Sequence, residues 1–496
     1  MKRTGHERRR ERARQKEAEG TSLWGTPESI PADLRDARMD AVTVKAVDSH
    51  AHENLDDGPS EAPKLSPGRA DAVSQRTVVR KAHSLIDQVY NWENLYRAWR
   101  RVRANKGAHG LDKVSIHAYE QDVEKHLLEL QRKLMEDRYE PTPVRRVYIP
   151  KGNDPKQKRP IGIPTVTDRV CQQAVLQVLS PIFDPTFSDR SFGFRPARKA
   201  HHAIATAIRD GKEGYTHVLD ADISSFFDRL DHEVAMSLVN AKIADRRVSG
   251  LLKAFIKAGV SENDVVSVPT EGSPQGGVIS PLISNIVLDV LDKALESRGW
   301  RFVRYADDFI ILTKTAEEAN ESLAAAKEVL GKLNLSLHET KTRLASFSEG
   351  FEFLGFRFRY RRIGIRDKSM QKFKDRVRHV TRRAQGRNVQ AVIRELNAVI
   401  RGWAQYFGVG EVANVFWRLD CWIRTRIRAF RLKRKSRLSH CKLTCARLAK
   451  WGLLSLQQCR PAQRLSYVSA YGSRERAGLL ATRKPHGVAQ CSNTAC

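Results

Sequence analysis

No apolar run in this chain of 496 residues approaches the roughly 20 residues that a membrane-crossing helix needs, and no signal-peptide pattern opens it. Neither a membrane-embedded nor a secreted protein is expected, and the compartment that fits is the cytoplasm. Cysteine is scarce: there are seven, at positions 171, 421, 441, 445, 459, 491 and 496, odd in number and mostly scattered. Such a set builds no disulfide framework and suits a reducing compartment. His440, Cys441, Cys445 and Cys459 offer a C-x₃-C spacing with no second close pair, which makes unremarkable thiols a better reading than zinc. Aromatic residues are only 7% of the chain, and 57 acidic residues against 87 Lys and Arg leave a formal net charge of +30. That balance calls for a polyanionic partner held in a salt-sensitive way through counterion release. With spans excluded, nucleic acid is favoured over an anionic membrane.

What is present is organised around Trp300 to Lys314, WRFVRYADDFIILTK. Two apolar, β-prone runs, Phe302 to Tyr305 and Phe309 to Leu312, flank Ala306-Asp307-Asp308 and predict a tight hairpin with two adjacent carboxylates at its tip. Like charges side by side repel, and a bridging divalent cation offsets this; Mg²⁺ suits it by its preference for oxygen ligands. A solvated Asp-Asp turn would look the same in isolation. Upstream, HVLDADISSFFDRLDH from His217 to His232 reads as a buried strand that delivers a carboxylate from Asp222, with Asp220 beside it. Asp222, Asp307 and Asp308 together would hold two Mg²⁺ about 4 Å apart, one activating a 3′-hydroxyl and the other steadying pyrophosphate.

Two further segments belong with these. SFGFRPARKAHHAI, Ser191 to Ile204, joins Phe192, Gly193, Phe194 and Arg195 ahead of a helix from about Ala197 to Arg209. Base stacking, phosphate contact and simple core packing of the two phenylalanines all fit it. GSPQGGVIS, Gly272 to Ser280, is a turn leading into an apolar helix from Pro281 to Leu295. Exposed amides at that helix start, beside Gln275, suit a nucleotide.

Taken in chain order, the four motifs resemble the reverse transcriptases encoded by group II introns, the maturases, over about Trp92 to Phe430. The resemblance implies an α+β fold, a right-hand polymerase with fingers and palm followed by an α-helical thumb or maturase domain. The divisions expected are 1–78, a poorly ordered extension; 79–368, fingers and palm; 369–435, the helical thumb; and 436–496, a basic tail that is a DNA-binding extension or disorder. In the family's pattern the aromatic five residues after the metal-binding Asp lies under the sugar of the incoming nucleotide; here that is Phe227, whose bulk would exclude a 2′-hydroxyl and make the product DNA. Phe226 then faces the core by strand alternation. Arg159 and then Lys151, in the basic stretch KGNDPKQKRPIGIP, are expected at the triphosphate, where a guanidinium can bind two oxygens at once. Ile223 and Gln275 complete the nucleotide set, Lys341 stands by the departing pyrophosphate, and Gly193, Phe194 and Arg195 shape the template side.

The N-terminal helix, Asn91 to Arg103, is amphipathic, and the loop from Lys106 to Asp112 resembles the extension that clamps a template strand. Phe351 to Phe358, bent at Gly355, resembles a primer grip, and Arg401 to Phe407, with Arg401 and Trp403, resembles the part of the thumb that grips intron RNA. Twelve basic residues against one acidic between Arg418 and Lys450 favour phosphate contact over a merely solvated face. The partners implied are group II intron RNA, an RNA template with a DNA primer, target DNA and dNTPs. Relatives that end in an HNH endonuclease carry paired C-x-x-C elements, and no C-x-x-C occurs in this sequence. A catalytically silent RNA-binding maturase and a reverse transcriptase with a host defence role are the alternatives.

Overall fold

The structure, a computed structural model, describes residues 81–462 apart from 152–153, 263–264, 268–271, 361, 384–385 and 434–442. The extension expected over 1–78, most of the tail after 462, and His440 and Cys441 of the weak zinc set lie outside the described residues.

The central layer is a four-stranded sheet in the order β6-β7-β3-β8, built from β3 (His217–Asp222), β6 (Arg301–Tyr305), β7 (Asp308–Thr313) and β8 (Arg343–Ser346), all pairings antiparallel. Val218 and Leu219 of β3, Phe302 and Val303 of β6 and Phe309 to Leu312 of β7 are buried, because both faces of these inner strands are covered, whereas the edge strand β8 is partly exposed. Leu219, Phe302, Phe309 and Ile311 pack into one core with the helices Ser280–Ser297 and Ala316–Lys332. Val218, Val303, Ile310 and Leu312 point the other way, by the two-residue period of a strand. They meet the helix Ala200–Lys212 and a three-stranded sheet, β9 (Phe351–Phe353), β10 (Phe356–Arg359) and β11 (Arg362–Ile365).

A second four-stranded sheet has the order β2-β1-β4-β5, with β4 (Val260–Glu262) and β5 (Val265–Ser267) coming after β3 in the chain; its long arm is β1 (Val144–Lys151) paired with β2 (Asp154–Ile163) from Arg145↔Ile163 to Ile149↔Arg159. The basic stretch KGNDPKQKRPIGIP thus supplies the strand β2. The helix Trp92–Ala104 is capped by Asn91, whose side chain accepts from the Glu93 amide, and buries Leu95, Trp99 and Val102.

From Asp367 onward the chain is helical: Asp367–Val380, Val389–Phe407, Ala413–Leu432 and the short Cys445–Lys450. Phe373, Ile400, Trp403, Phe416 and Ile423 share one core with the second face of the central sheet. Leu448, Leu453 and Leu456 enter the same core, and the Leu456 amide donates to Asp420 at 2.8 Å. The boundary expected at 436 is thus crossed by packing, and the described part of the supposed tail is integral to the helical body. Among the described residues no helix is long and apolar enough to cross a membrane.

Candidate active site

The hairpin forms as the sequence predicts. Tyr305 pairs with Asp308, leaving Ala306 and Asp307 as a two-residue turn in which Ala306 adopts φ +59°. On the other side of β7, Asp308 lies directly opposite Asp222 at the end of β3. Cross-strand neighbours have Cβ atoms about 4.5–5.5 Å apart, and like charges there destabilise the sheet. Asp222 is met by the ammonium of Lys341, and Asp220, two residues earlier on the same face, by the Arg343 guanidinium at 3.1 Å. Burial pushes the Asp220 carboxyl above its ordinary value, Arg343 opposes the shift, and the charge on Asp222 adds to it.

Three carboxylates at neighbouring backbone positions are the hard oxygen donors that Mg²⁺ takes, so the residue types fit that ion. Among the described residues, however, no three His, Cys, Asp or Glu side chains are gathered tightly enough to hold a metal. The Lys341 ammonium occupies Asp222 instead.

Five residues beyond Asp222, Phe227 lines a pocket of about 130 Å³ together with Gln275, Pro274, Gly162 and Arg146 among others. Its floor is sewn together by backbone. Gly162 donates to the Gln275 carbonyl at 2.7 Å and Ser273 to the Phe227 carbonyl at 2.7 Å. Gly272, at φ +81°, passes so close to the Asp228 carbonyl that a Cβ would come within 2.7 Å of it, which explains glycine there. Arg159 and Gln275 meet, the guanidinium Nε donating to Oε1 at 2.8 Å. Arg146 was not singled out from the sequence, although alternation along β1 was legible and could have flagged it.

Several expected residues sit elsewhere. Phe226 is buried, but Phe226–Asp228 is a 3₁₀ turn entered through Ser225 at φ +45°, so strand alternation is not what buries it. Ile223 turns its side chain into the core and bridges to Leu337, leaving only backbone for a nucleotide. Arg195 is corrected from a template contact to an internal clamp: at 7% exposure it donates to the Asp184 carboxylate at 2.8 Å and to the carbonyls of Asp184, Ser188 and Ser191. Phe192 is core, whereas Phe194 is 52% exposed at φ +57°. With Ala197 also at φ +57°, the following helix starts only at Ala200. Gly193 is needed for the protein's own packing, since a Cβ there would lie 2.2 Å from the Ala306 amide. Trp403 is corrected likewise: it is 3% exposed and stacks on Phe373, while Arg401 on the same helix is exposed. The Lys151 side chain lies outside what the structure describes.

A reverse transcriptase (RNA-dependent DNA polymerase) model matches residues 149–358, and a group II intron, maturase-specific domain model matches residues 370–446. The chain therefore belongs to the reverse transcriptases that carry a group II intron maturase domain. "Protein YkfC" of Escherichia coli is 36% identical over 306 residues, covering 53% of this chain and 80% of that protein. "Group II intron-encoded protein LtrA" of Lactococcus lactis subsp. cremoris is 32% identical over 337 residues, with the match spanning 54% of this chain and 55% of LtrA. A match at 30% identity over 213 residues is with the "Uncharacterized 91 kDa protein in cob intron" of Schizosaccharomyces pombe, across 42% of this chain and 26% of that one. A solved chain titled "Partial Cas6-RT-Cas1--Cas2 complex" shares 23% identity at a TM-score of 0.34, over 51% of this chain and 42% of that chain.

Proposed function

We propose that this chain is an RNA-directed DNA polymerase that also binds its own group II intron RNA, assisting splicing and the intron's return to DNA. The observation that carries the polymerase half is the register that sets Asp222 opposite Asp308, one residue from Asp307, while Phe227, five residues on from Asp222, lines a pocket with Gln275. In this reading the central sheet is the palm, β1 and β2 belong to the fingers, and the helices from Asp367 are the thumb.

Asp222, Asp307 and Asp308 would hold two Mg²⁺. Bound there, the ions would supply activation of the primer 3′-hydroxyl and neutralisation of the charge on the departing pyrophosphate. Arg159 and Gln275, joined to each other, hold the incoming dNTP, and Lys151 adds charge at its triphosphate. The Phe227 ring bars a 2′-hydroxyl by bulk. Lys341, which meets Asp222, would hand a proton to the departing pyrophosphate. The exposed Phe194 offers a stacking face on the template side, and Arg401 with the basic face of the thumb meets phosphates of structured RNA. The chemistry of splicing stays with the RNA, and target DNA enters with the intron's insertion. Extension of a DNA primer on an RNA template, with dNTPs and Mg²⁺ and stopped by chelator, tests the first half. Splicing of the cognate intron at low Mg²⁺, with and without the protein, tests the second.

A further inference from the structure

Arg304, one residue before Tyr305 in β6, is the largest wholly buried side chain among the described residues, at 0% exposure. Moving a guanidinium out of water is costly even after relaxation, so its surroundings have to compensate. Nε and Nη2 donate to the two oxygens of Asp292, at 2.8 and 2.5 Å. Nη1 donates to Asn285 Oδ1 at 3.0 Å and to the Ala306 carbonyl at 3.1 Å. Asn285 passes the connection on, its Nδ2 donating to the Gly193 carbonyl at 2.9 Å. Asp292 and Asn285 sit two turns apart on the helix Ser280–Ser297, so the rigid helix holds both ends of the fork.

The two carbonyls reached are the ones that matter to the turn. Ala306 is held left-handed, a conformation that a residue with a Cβ adopts only when its surroundings impose it. Its carbonyl belongs to the peptide plane shared with Asp307. Gly193 passes so close to the turn that a Cβ there would lie 2.2 Å from the Ala306 amide. We infer that Arg304, Asp292 and Asn285 form a buried positioning device that locks the Ala306–Asp307 peptide and so fixes how Asp307 and Asp308 are presented to divalent cations. The inference rests on the polymerase reading for its consequence in catalysis, but the binding of Mn²⁺ reads it without any turnover.

The test compares three variants with the parent. Arg304→Leu combined with Asp292→Leu removes both charges together, an exchange that often leaves a fold as stable as before. Arg304→Lys keeps the charge beside Asp292 and loses the fork to Asn285 and Ala306. Gly193→Ala pushes on the turn from outside and serves if the double variant does not fold. Each is measured for melting temperature, Mn²⁺ binding by water-proton relaxation, and primer extension as a function of Mg²⁺ and dNTP. The expected result is Mn²⁺ binding weakened at least about threefold, a matching rise in the Mg²⁺ midpoint and kcat down about a hundredfold, the usual cost of displacing a reacting group by an ångström, with KM for dNTP within about twofold. Parental Mn²⁺ binding in a folded double variant, in Arg304→Lys, or in Gly193→Ala overturns the inference. A parent that binds Mn²⁺ but never extends a primer would count against the polymerase reading and leave this one standing.

Discussion

Replacing Lys341 by Gln should make the protein hold divalent metal more tightly and turn over more slowly. Lys341 meets Asp222 in an ion pair whose members are 50% and 21% exposed, and a pair that open to water contributes only about 0.2–1 kcal/mol directly. What the ammonium also does is mask the repulsion between Asp222 and Asp308, which face each other across β3 and β7. Two carboxylates about 5 Å apart repel by roughly 0.8 kcal/mol at the dielectric constant of water and about 3 kcal/mol at an effective value near 20. Without Lys341 the metal-free protein should therefore lose about 1–3 kcal/mol, and a cation that no longer has to displace the lysine should bind up to about tenfold more tightly. Water-proton relaxation during a Mn²⁺ titration measures that affinity, and melting with and without Mg²⁺ should show a wider gap in the variant. If Lys341 also serves the leaving pyrophosphate, kcat falls by about 10²–10⁴ at saturating Mg²⁺. Unchanged Mn²⁺ affinity together with an unchanged metal-free melting temperature would refute the reasoning.

If Phe227 lies beneath the sugar of the incoming nucleotide, Phe227→Ala should raise incorporation of ribonucleotides at least tenfold relative to dNTPs, measured by competition in single-nucleotide extension; unaltered discrimination would take Phe227 out of the sugar site. Gln275→Ala removes the acceptor that orients Arg159 at 2.8 Å, so it should raise KM for dNTP several-fold and be nearly non-additive with Arg159→Ala. Trp403→Ala opens a cavity in the helical core and should cost about 3–5 kcal/mol of stability, whereas Arg401→Ala should leave stability within about 0.5 kcal/mol. The Arg401 variant should instead lower the slope of log affinity for RNA against log salt by about one.

Much of the site was legible in the sequence because strands carry their pattern locally. The runs around Ala306-Asp307-Asp308 forecast the hairpin, and the strand ending at Asp222 was likewise visible in its own residues. That Asp222 falls opposite Asp308, and not one residue away, follows from pairing between segments separated by more than eighty residues, which no local pattern encodes. Arg195 and Trp403 were misplaced for a related reason: an arginine in a glycine-containing loop and a tryptophan among basic residues look alike whether they face RNA or the core. Only the tertiary partners, Asp184 for one and Phe373 for the other, decide. Arg304 shows the same limit, since it reads as an ordinary charge in a strand until Asp292 is brought to it by a helix.

The measurement that bears most directly on the account is primer extension on an RNA template by the parent and by the Asp307→Ala/Asp308→Ala variant, with binding of structured RNA measured on both. The account predicts that the parent extends, that the variant does not, and that both bind RNA equally, so that the hairpin carries the chemistry and the basic thumb the recognition. A parent that binds structured RNA tightly and never extends a primer would contradict it, and would leave a protein that serves its intron by binding alone.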